Sequence, residues 1–163
     1  MKNTTKITLI LVIVWMAIIF AFSNTNSIDS NHESMGIIKI VATKIFKVEN
    51  EKVDEIVKIW NKPLRKITHF TVYLILSLLI YSCLRHTKIK RKKILTLIIC
   101  FIYALTDEYH QTFIGGRTGL FSDVIIDTLG SATFIIIVTI KNQIKETRKN
   151  NLIQAPKQKK SNF

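Results

Sequence analysis

The sequence predicts an all-α integral membrane protein: a transmembrane bundle of four helices, with amphipathic extracytoplasmic helices between the first and second spans. Three observations support this fold class. The mean hydropathy of +0.25 is high for a soluble chain of 163 residues. The apolar residues are concentrated in four long blocks, and Lys and Arg lie at the ends of those blocks. With only 5 Gly and 2 Pro, the chain is not a turn-rich β protein.

The four blocks set the boundaries of the predicted spans, which lie at approximately residues 7–23, 67–84, 94–114 and 120–140. A helix crosses the hydrocarbon core of a membrane with about 17–25 mainly apolar residues. The second and fourth blocks meet that length, and the first is borderline. The third block reaches it only if the helix continues through Asp107, Glu108 and His110 to Ile114.

The first block also has features of a signal peptide, since Ala21-Phe22-Ser23 fits a small-x-small cleavage site. The apolar run is long for a signal peptide, however, and Trp15 and Phe20 are typical of residues that anchor a helix in a membrane. We therefore expect the block to be retained as the first span, with cleavage as the alternative.

The distribution of Lys and Arg predicts the orientation. The loop at 85–93 carries six basic residues and no acid, and the segment from Lys141 onward carries seven against the single Glu146. Because cytoplasmic segments of membrane proteins are enriched in Lys and Arg, we expect a multi-pass protein of the bacterial cell membrane with both termini in the cytoplasm. Residues 141–163 are predicted to form a disordered basic tail that anionic membrane lipid attracts.

The segment between the first two predicted spans has helical periodicity. Apolar residues recur at i, i+3, i+4 and i+7 in one stretch and at similar spacing in a shorter one before it. The two stripes are Val53, Ile56, Val57 and Trp60, preceded by Ile37, Ile38, Val41 and Ile45. Two amphipathic helices are predicted, which we expect to lie on the outer membrane surface; the alternative is a lid over a site beneath them.

Charge and cysteine usage exclude several classes of function. The net charge of +13 does not indicate a nucleic-acid partner, because no Lys/Arg stripe runs along a soluble helix. Cys83 and Cys100 both lie within apolar blocks, which favours buried thiols over a disulfide framework. No nucleophile elbow, phosphate-binding loop or dinucleotide fingerprint occurs in the sequence.

Polar and ionisable residues are concentrated at one end of the predicted spans. They are Arg65, Lys66, His69 and Tyr73 at the start of the second span, Asp107, Glu108, His110 and Gln111 at the end of the third, Arg117 in the turn, and Asp123 and Asp127 at the start of the fourth. Ionisable groups inside a membrane are costly and tend to mark functional sites. Helical spacing places Asp107 on one face with His110 and Gln111, and turns Glu108 toward a different neighbour.

Three of these runs have a distinctive order: Thr106-Asp107-Glu108-Tyr109-His110-Gln111-Thr112-Phe113, then Gly116-Arg117, then Asp123-Val124-Ile125-Ile126-Asp127-Thr128-Leu129-Gly130. Together with residues 15–23 and 65–73, they resemble the VanZ-like family of small bacterial membrane proteins over about residues 10–140. Val72 stands where that family usually has an acid, and Gly115 where it usually has a proline. The resemblance implies a transmembrane domain over residues 7–140. It also implies a link to teicoplanin, a lipid-bearing glycopeptide antibiotic, because the founding member of the family is associated with low-level resistance to it.

Three interpretations of the polar cluster stay open. In a purely structural one, Arg65, Lys66 and Arg117 neutralise three of the four acids. In the interpretation that we favour, the cluster is an outward-facing pocket whose partners are membrane lipid and a lipid-linked envelope component or lipoglycopeptide. In the third, a divalent metal supports an intramembrane hydrolase or transferase acting on a lipid-linked substrate. The candidate metal ligands are Asp107, His110, Asp123 and Asp127. We favour a binding protein without a cofactor over an enzyme.

Overall fold

The computed structural model describes residues 3–24, 27–47, 50–114 and 119–160, with side chains described at 3–24, 34–47, 52–114 and 119–152. Its helices are α1 (Asn3–Ser23), α2 (Ser27–Ile40), α3 (Asn50–Leu84), α4 (Lys92–Gln111) and α5 (Phe121–Lys160), and α2 continues into a π-helical turn at Val41–Ile45. No strand occurs in these described ranges. The prediction of an all-α fold is therefore confirmed for this part of the chain.

Three of the described helices are long and apolar enough to cross a membrane. The qualifying stretches are Asn3–Ser23, Lys52–Leu84 and Phe121–Leu152, which correspond to the first, second and fourth predicted spans. Helix α4 has 20 residues, but Lys92 and Lys93 begin it and Asp107 and Glu108 lie near its end. The membrane class is supported, and the crossing by α4 stays a prediction.

Helix α3 unites two segments that the sequence analysis treated as separate. The amphipathic stretch around Val53 and the second span form one helix of 35 residues, with Pro63 inside it. A proline in a helix removes one main-chain hydrogen bond, and here the helix continues on both sides. The helix that contains the predicted second span therefore begins well before residue 67, because no glycine interrupts residues 50–84, and the bounds of the span itself stay a prediction.

The amphipathic stripes pack against each other in a small core of their own. Ile38 and Ala42 of α2 and the π turn are buried against Val53 and Val57 of α3. Other members of the stripes are exposed, including Trp60 at 54%. The prediction of helical structure in this segment holds, whereas the position of these helices relative to the membrane surface stays a prediction.

Helix α3 is the centre of the bundle, since α1, α4 and α5 all pack against it. The contact with α5 is closest at Gly130, where an added Cβ would lie 2.2 Å from the carbonyl oxygen of Phe70. Next to it, the Ser131 hydroxyl donates to the Tyr73 carbonyl over 3.2 Å, and the Ser77 hydroxyl donates to the Ser131 carbonyl over 3.1 Å. Small residues with such hydrogen bonds are how helices associate in lipid, where hydrophobic burial between them is weak.

Helix α1 is attached through one narrow face. Its buried residues include Thr5, Val12 and Ile19, which recur every seven positions as in coiled-coil-like packing. The Trp15 indole N–H donates to the Val72 carbonyl over 3.1 Å. The remaining faces of α1 present large exposed aliphatic side chains, as a helix surrounded by lipid does.

The tail prediction differs from the structure. Helix α5 continues as far as Lys160, so the segment from Lys141 is helical where the sequence analysis predicted disorder. The physical reason lies in the sequence: no glycine or proline occurs between Gly130 and Pro156, and Lys, Glu, Gln and Arg favour helix. Residues 141–152 are exposed along their whole length.

Candidate functional site

The polar residues meet at one end of the bundle, where α1 and α4 end and α5 begins. The basic loop at 85–93 lies at the opposite end, and the Cys83 thiol there approaches the Thr5 carbonyl near the start of α1. Helix α3 passes through both ends. The antiparallel order of the helices therefore gathers residues that are distant in the sequence.

Asp107 and Gln111 form the link between α4 and α1. Both side chains are buried, each with 4% exposure. The Gln111 side-chain amide donates to the Ser23 hydroxyl over 2.8 Å and to the Asp107 carboxylate over 3.3 Å. Asp107 and Gln111 lie one helical turn apart on the same face, as their spacing predicts. Ser23 was not among the predicted site residues, although it is the polar residue that ends the first apolar block.

His69 and Asp127 form the link between α3 and α5. The Nδ1 atom of His69 lies 3.4 Å from Oδ1 of Asp127, whose side chain has no exposed surface. The pair is next to the close contact between Phe70 and Gly130. A carboxylate beside an imidazole stabilises the protonated ring and fixes its orientation. The contact therefore joins the two helices at their tightest point.

Glu108 faces a different element from Asp107. Its Oε2 atom accepts a hydrogen bond of 2.9 Å from the main-chain N–H of Leu120, directly before α5. The N–H groups at the start of a helix have no partner within the helix and favour negative charge. The buried Glu108 carboxylate therefore positions the beginning of α5, which carries Asp123 and Asp127.

His110 packs against α1. Its ring packs against Phe20 of α1 with 4.6 Å between the ring centroids. The Nδ1 atom of His110 is buried, and no hydrogen-bond partner for it occurs among the described residues. The helical spacing predicts that His110 faces the bundle together with Asp107 and Gln111; the structure places the His110 ring against α1, in the lining of one cavity with Asp107.

A cavity of about 350 Å³ lies between α1, α2, α3 and the end of α4. Four predicted site residues line it, namely Arg65, His69, Tyr73 and Asp107, and the other lining residues are mostly apolar. Tyr73 is buried, and its hydroxyl has no hydrogen-bond partner in the part of the chain that the structure describes. A largely apolar pocket with a few converging polar groups is typical of a small-molecule site.

Two walls of this cavity were missed by the sequence analysis. Trp15 and Ile19 supply the wall from α1, and Ser34 and Ile37 supply the cover from α2. The Ser34 hydroxyl donates to the Asn61 side-chain oxygen of α3, which holds α2 over the cavity. These residues carry no sequence signal of a site, because only the packing of the helices brings them there. This arrangement fits the lid alternative.

The structure does not gather every predicted site residue. Lys66 is exposed beside Arg65, and Asp123 and Asp127 are not among the residues that line the cavity. Arg117 lies outside the described residues. The candidate metal ligands Asp107, His110, Asp123 and Asp127 do not converge, since no group of three or more His, Cys, Asp or Glu in the described ranges is placed to hold a metal ion.

The comparison with known families now has a structural context. No curated protein and no solved structure is significantly similar to the chain. The family model described as VanZ/LLP1 matches residues 8–142, which include most of α1, all of α2, α3 and α4, and the apolar first half of α5. The match confirms the resemblance seen in the sequence and covers most of the chain. The chain therefore belongs to the VanZ/LLP1 family.

Proposed function

We propose that this VanZ/LLP1 protein crosses the bacterial cell membrane four times and binds an amphiphilic envelope molecule in a pocket that opens outward. The observation that carries the proposal is the cavity of about 350 Å³, with its apolar walls and its converging polar groups. The family is linked to glycopeptide resistance, which makes a lipid-linked envelope component or a lipoglycopeptide the expected ligand.

The proposed topology includes α4 as the third of four spans. A helix of 20 residues is about 30 Å long, which matches the hydrocarbon thickness. Asp107 and Glu108 are buried with 4% and 5% exposure, so they are shielded from lipid. Exposed apolar residues such as Ile98 and Ile102 face outward instead. The basic loop at 85–93 is then cytoplasmic, and the cavity lies at the opposite, outer end.

Cysteine labelling tests the topology. In a background with Cys83→Ala and Cys100→Ala, Asn24→Cys and Lys90→Cys place single thiols at exposed positions at the two ends of the bundle. An impermeant thiol reagent applied to intact cells is expected to label Asn24→Cys only, and to label Lys90→Cys after the cells are opened. The reverse pattern would invert the proposed orientation.

The cavity favours a ligand with an apolar chain and an anionic group. Its aliphatic and aromatic walls suit the chain, and the Arg65 guanidinium suits a phosphate or carboxylate, which it can bind through two hydrogen bonds. The Tyr73 hydroxyl adds a donor at the buried end. Binding of such a molecule beside the membrane surface would alter access of a lipid-bearing glycopeptide to its target, which connects the pocket to the family's association with resistance.

Two other interpretations make different predictions. A purely structural network is supported by the bonds of Gln111 and Glu108 between elements, yet it gives no role to a cavity. A metal-dependent enzyme has no supporting ligand geometry in the described residues. Substitution of two adjacent basic residues distinguishes the binding proposal from the structural one. Arg65 lines the cavity, whereas Lys66 is exposed.

The test compares Arg65→Gln with its matched control Lys66→Gln. Each variant is purified in detergent, its co-purifying amphiphiles are identified by native mass spectrometry, and its melting temperature is measured. The same genes are expressed in a teicoplanin-susceptible bacterium. Arg65→Gln is expected to lose the co-purified molecule and any change in susceptibility at unchanged melting temperature, while Lys66→Gln keeps both. If the two variants behave alike, or if Arg65→Gln only unfolds, the binding proposal is wrong.

A further inference from the structure

Asp107 also borders a second cavity, which lies between α1 and the end of α4 and has a volume of about 300 Å³. Asp107 is the one residue that lines both this cavity and the first one. The rest of the second lining is dominated by aromatic rings, with Phe20 from α1 and Tyr109 and Phe113 from the end of α4. An acidic residue and several aromatic rings therefore border the same cavity, and ionisable residues inside a membrane protein tend to mark functional sites.

The rings of this cavity are arranged in two contacting pairs. Tyr109 and Phe113 pack edge to face with 5.2 Å between their centroids and 83° between their planes. Phe20 packs on His110 at 4.6 Å. His110 also lines this cavity, and its buried Nδ1 atom has no hydrogen-bond partner within the described ranges. In a neutral imidazole, one ring nitrogen accepts a hydrogen bond.

We propose that this second cavity binds the ammonium group of an amine-bearing phospholipid headgroup. Aromatic faces attract cations through their negative quadrupole, and sites for organic ammonium ions are built from several such rings. The Asp107 carboxylate neutralises the charge and accepts a hydrogen bond from the ammonium N–H groups. The uncharged glycerol of phosphatidylglycerol has no cation to pair with this carboxylate.

The position of the rings identifies a lipid as the source of the ammonium group. Tyr109 is 68% exposed and Phe113 is 71% exposed, at the end of a helix in a membrane protein. Aromatic residues in such positions lie at the depth of the lipid headgroups. An interfacial aromatic belt would by itself account for the two exposed rings. It does not account for a carboxylate and an imidazole that line the same cavity behind them, and the ammonium proposal does.

The test uses two lipids that differ only in the headgroup. The purified protein is placed in mixed micelles with equal amounts of dioleoyl phosphatidylethanolamine and dioleoyl phosphatidylglycerol, and native mass spectrometry counts the bound molecules of each. The chain has a net charge of +13, which by itself favours the anionic glycerol lipid. A local ammonium site therefore predicts the opposite, a preference of about fivefold or more for the ethanolamine lipid.

Variants assign the preference to the cavity. Phe113→Leu and Tyr109→Leu alter exposed rings and are expected to fold normally while reducing the preference about fivefold, the equivalent of about 1 kcal/mol. Asp107→Asn is expected to abolish it. Phe121→Leu is the matched control, because Phe121 is 65% exposed and is not among the residues that line this cavity.

The outcomes separate this proposal from the one for the first cavity. Wild-type protein without an ethanolamine preference, or a preference that survives Phe113→Leu, Tyr109→Leu and Asp107→Asn, overturns the ammonium site. Arg65→Gln lies in the first cavity and is expected to leave the lipid preference unchanged. Loss of the preference in Arg65→Gln but not in the Phe113 and Tyr109 variants would also overturn it, by assigning the lipid to the first cavity.

Discussion

Among the described glycines, Gly130 is the one where an added Cβ would meet the closest neighbouring atom. A Cβ added there would lie 2.2 Å from the carbonyl oxygen of Phe70 and 3.2 Å from its Cα atom. Both are main-chain atoms of α3, so a change of side-chain rotamer cannot relieve the overlap. Gly130→Ala therefore requires α3 and α5 to move apart until the distance from the new Cβ to the Phe70 carbonyl oxygen grows from 2.2 Å to the 3.4 Å of an ordinary contact.

The cost of that movement has three contributions. Overpacking of a well-packed interface costs about 1–3 kcal/mol. A shift of about 1 Å also stretches the two hydrogen bonds at Ser131, and such bonds between membrane helices contribute about 0.6 kcal/mol each. Because alanine has a higher helix propensity than glycine, the substitution regains about 1 kcal/mol of this loss. The expected net loss is about 1–3 kcal/mol of unfolding free energy, together with a longer contact between His69 and Asp127.

Gly36→Ala is the matched control for this prediction. Gly36 lies in α2, and nothing approaches within 4 Å of the place where its Cβ would be. This variant is expected to be neutral or stabilised by up to about 1 kcal/mol. The assay is reversible unfolding of the detergent-solubilised protein by SDS, followed by far-UV circular dichroism. A Gly130→Ala protein as stable as the Gly36→Ala protein would show that the α3–α5 contact is not as close as described.

Two further predictions concern the attachment of α1. The side chains of Ser23 and Gln111 form a 2.8 Å hydrogen bond between α1 and α4. In a double-mutant cycle of alanine substitutions followed by SDS unfolding, we expect a coupling free energy of about 0.6 kcal/mol between them. Additive effects of the two substitutions would contradict this hydrogen bond. Tyr103→Phe removes the donor of a 2.7 Å hydrogen bond to the Met16 carbonyl and is expected to cost about 1 kcal/mol. Tyr109→Phe is the control, because the Tyr109 ring is exposed, and it is expected to change the unfolding free energy by less than about 0.5 kcal/mol. Equal losses in the two variants would show that the hydrogen bond from Tyr103 to Met16 does not stabilise the protein.

The helices themselves could be predicted from the sequence because their signals are local. Long apolar blocks identify α1, the second half of α3 and the first half of α5, and periodicity identifies the amphipathic stretch around Val53. The ends of helices were harder to predict. The sequence analysis separated the amphipathic stretch from the second span and predicted disorder from Lys141, yet the residues around both places favour helix.

The site could be predicted only in part. The polar residues of α3 and α4 were identifiable because ionisable groups are rare in apolar blocks, and Asp107 and His69 do line the cavity. The wall from α1 was not identifiable, since apolar residues carry no such signal, and the cover from α2 was foreseen only as the lid alternative for the stripe that contains Ile37. Helical spacing predicted that Asp107 and His110 lie near each other on α4. It could not predict that the His110 ring packs against Phe20, because that contact depends on the position of α1.

The structure also bears on the question of whether α1 is a signal peptide or a span. Cleavage after Ser23 would remove the wall of the first cavity that contains Trp15 and Ile19. It would also take away the hydroxyl that accepts the hydrogen bond of Gln111, whose side chain is only 4% exposed. Gln111 would keep only its longer hydrogen bond of 3.3 Å to Asp107, and the second cavity would lose Phe20 at the same time. Both proposed sites therefore depend on α1 remaining in the protein, which favours the uncleaved span on grounds that the apolar pattern alone could not provide.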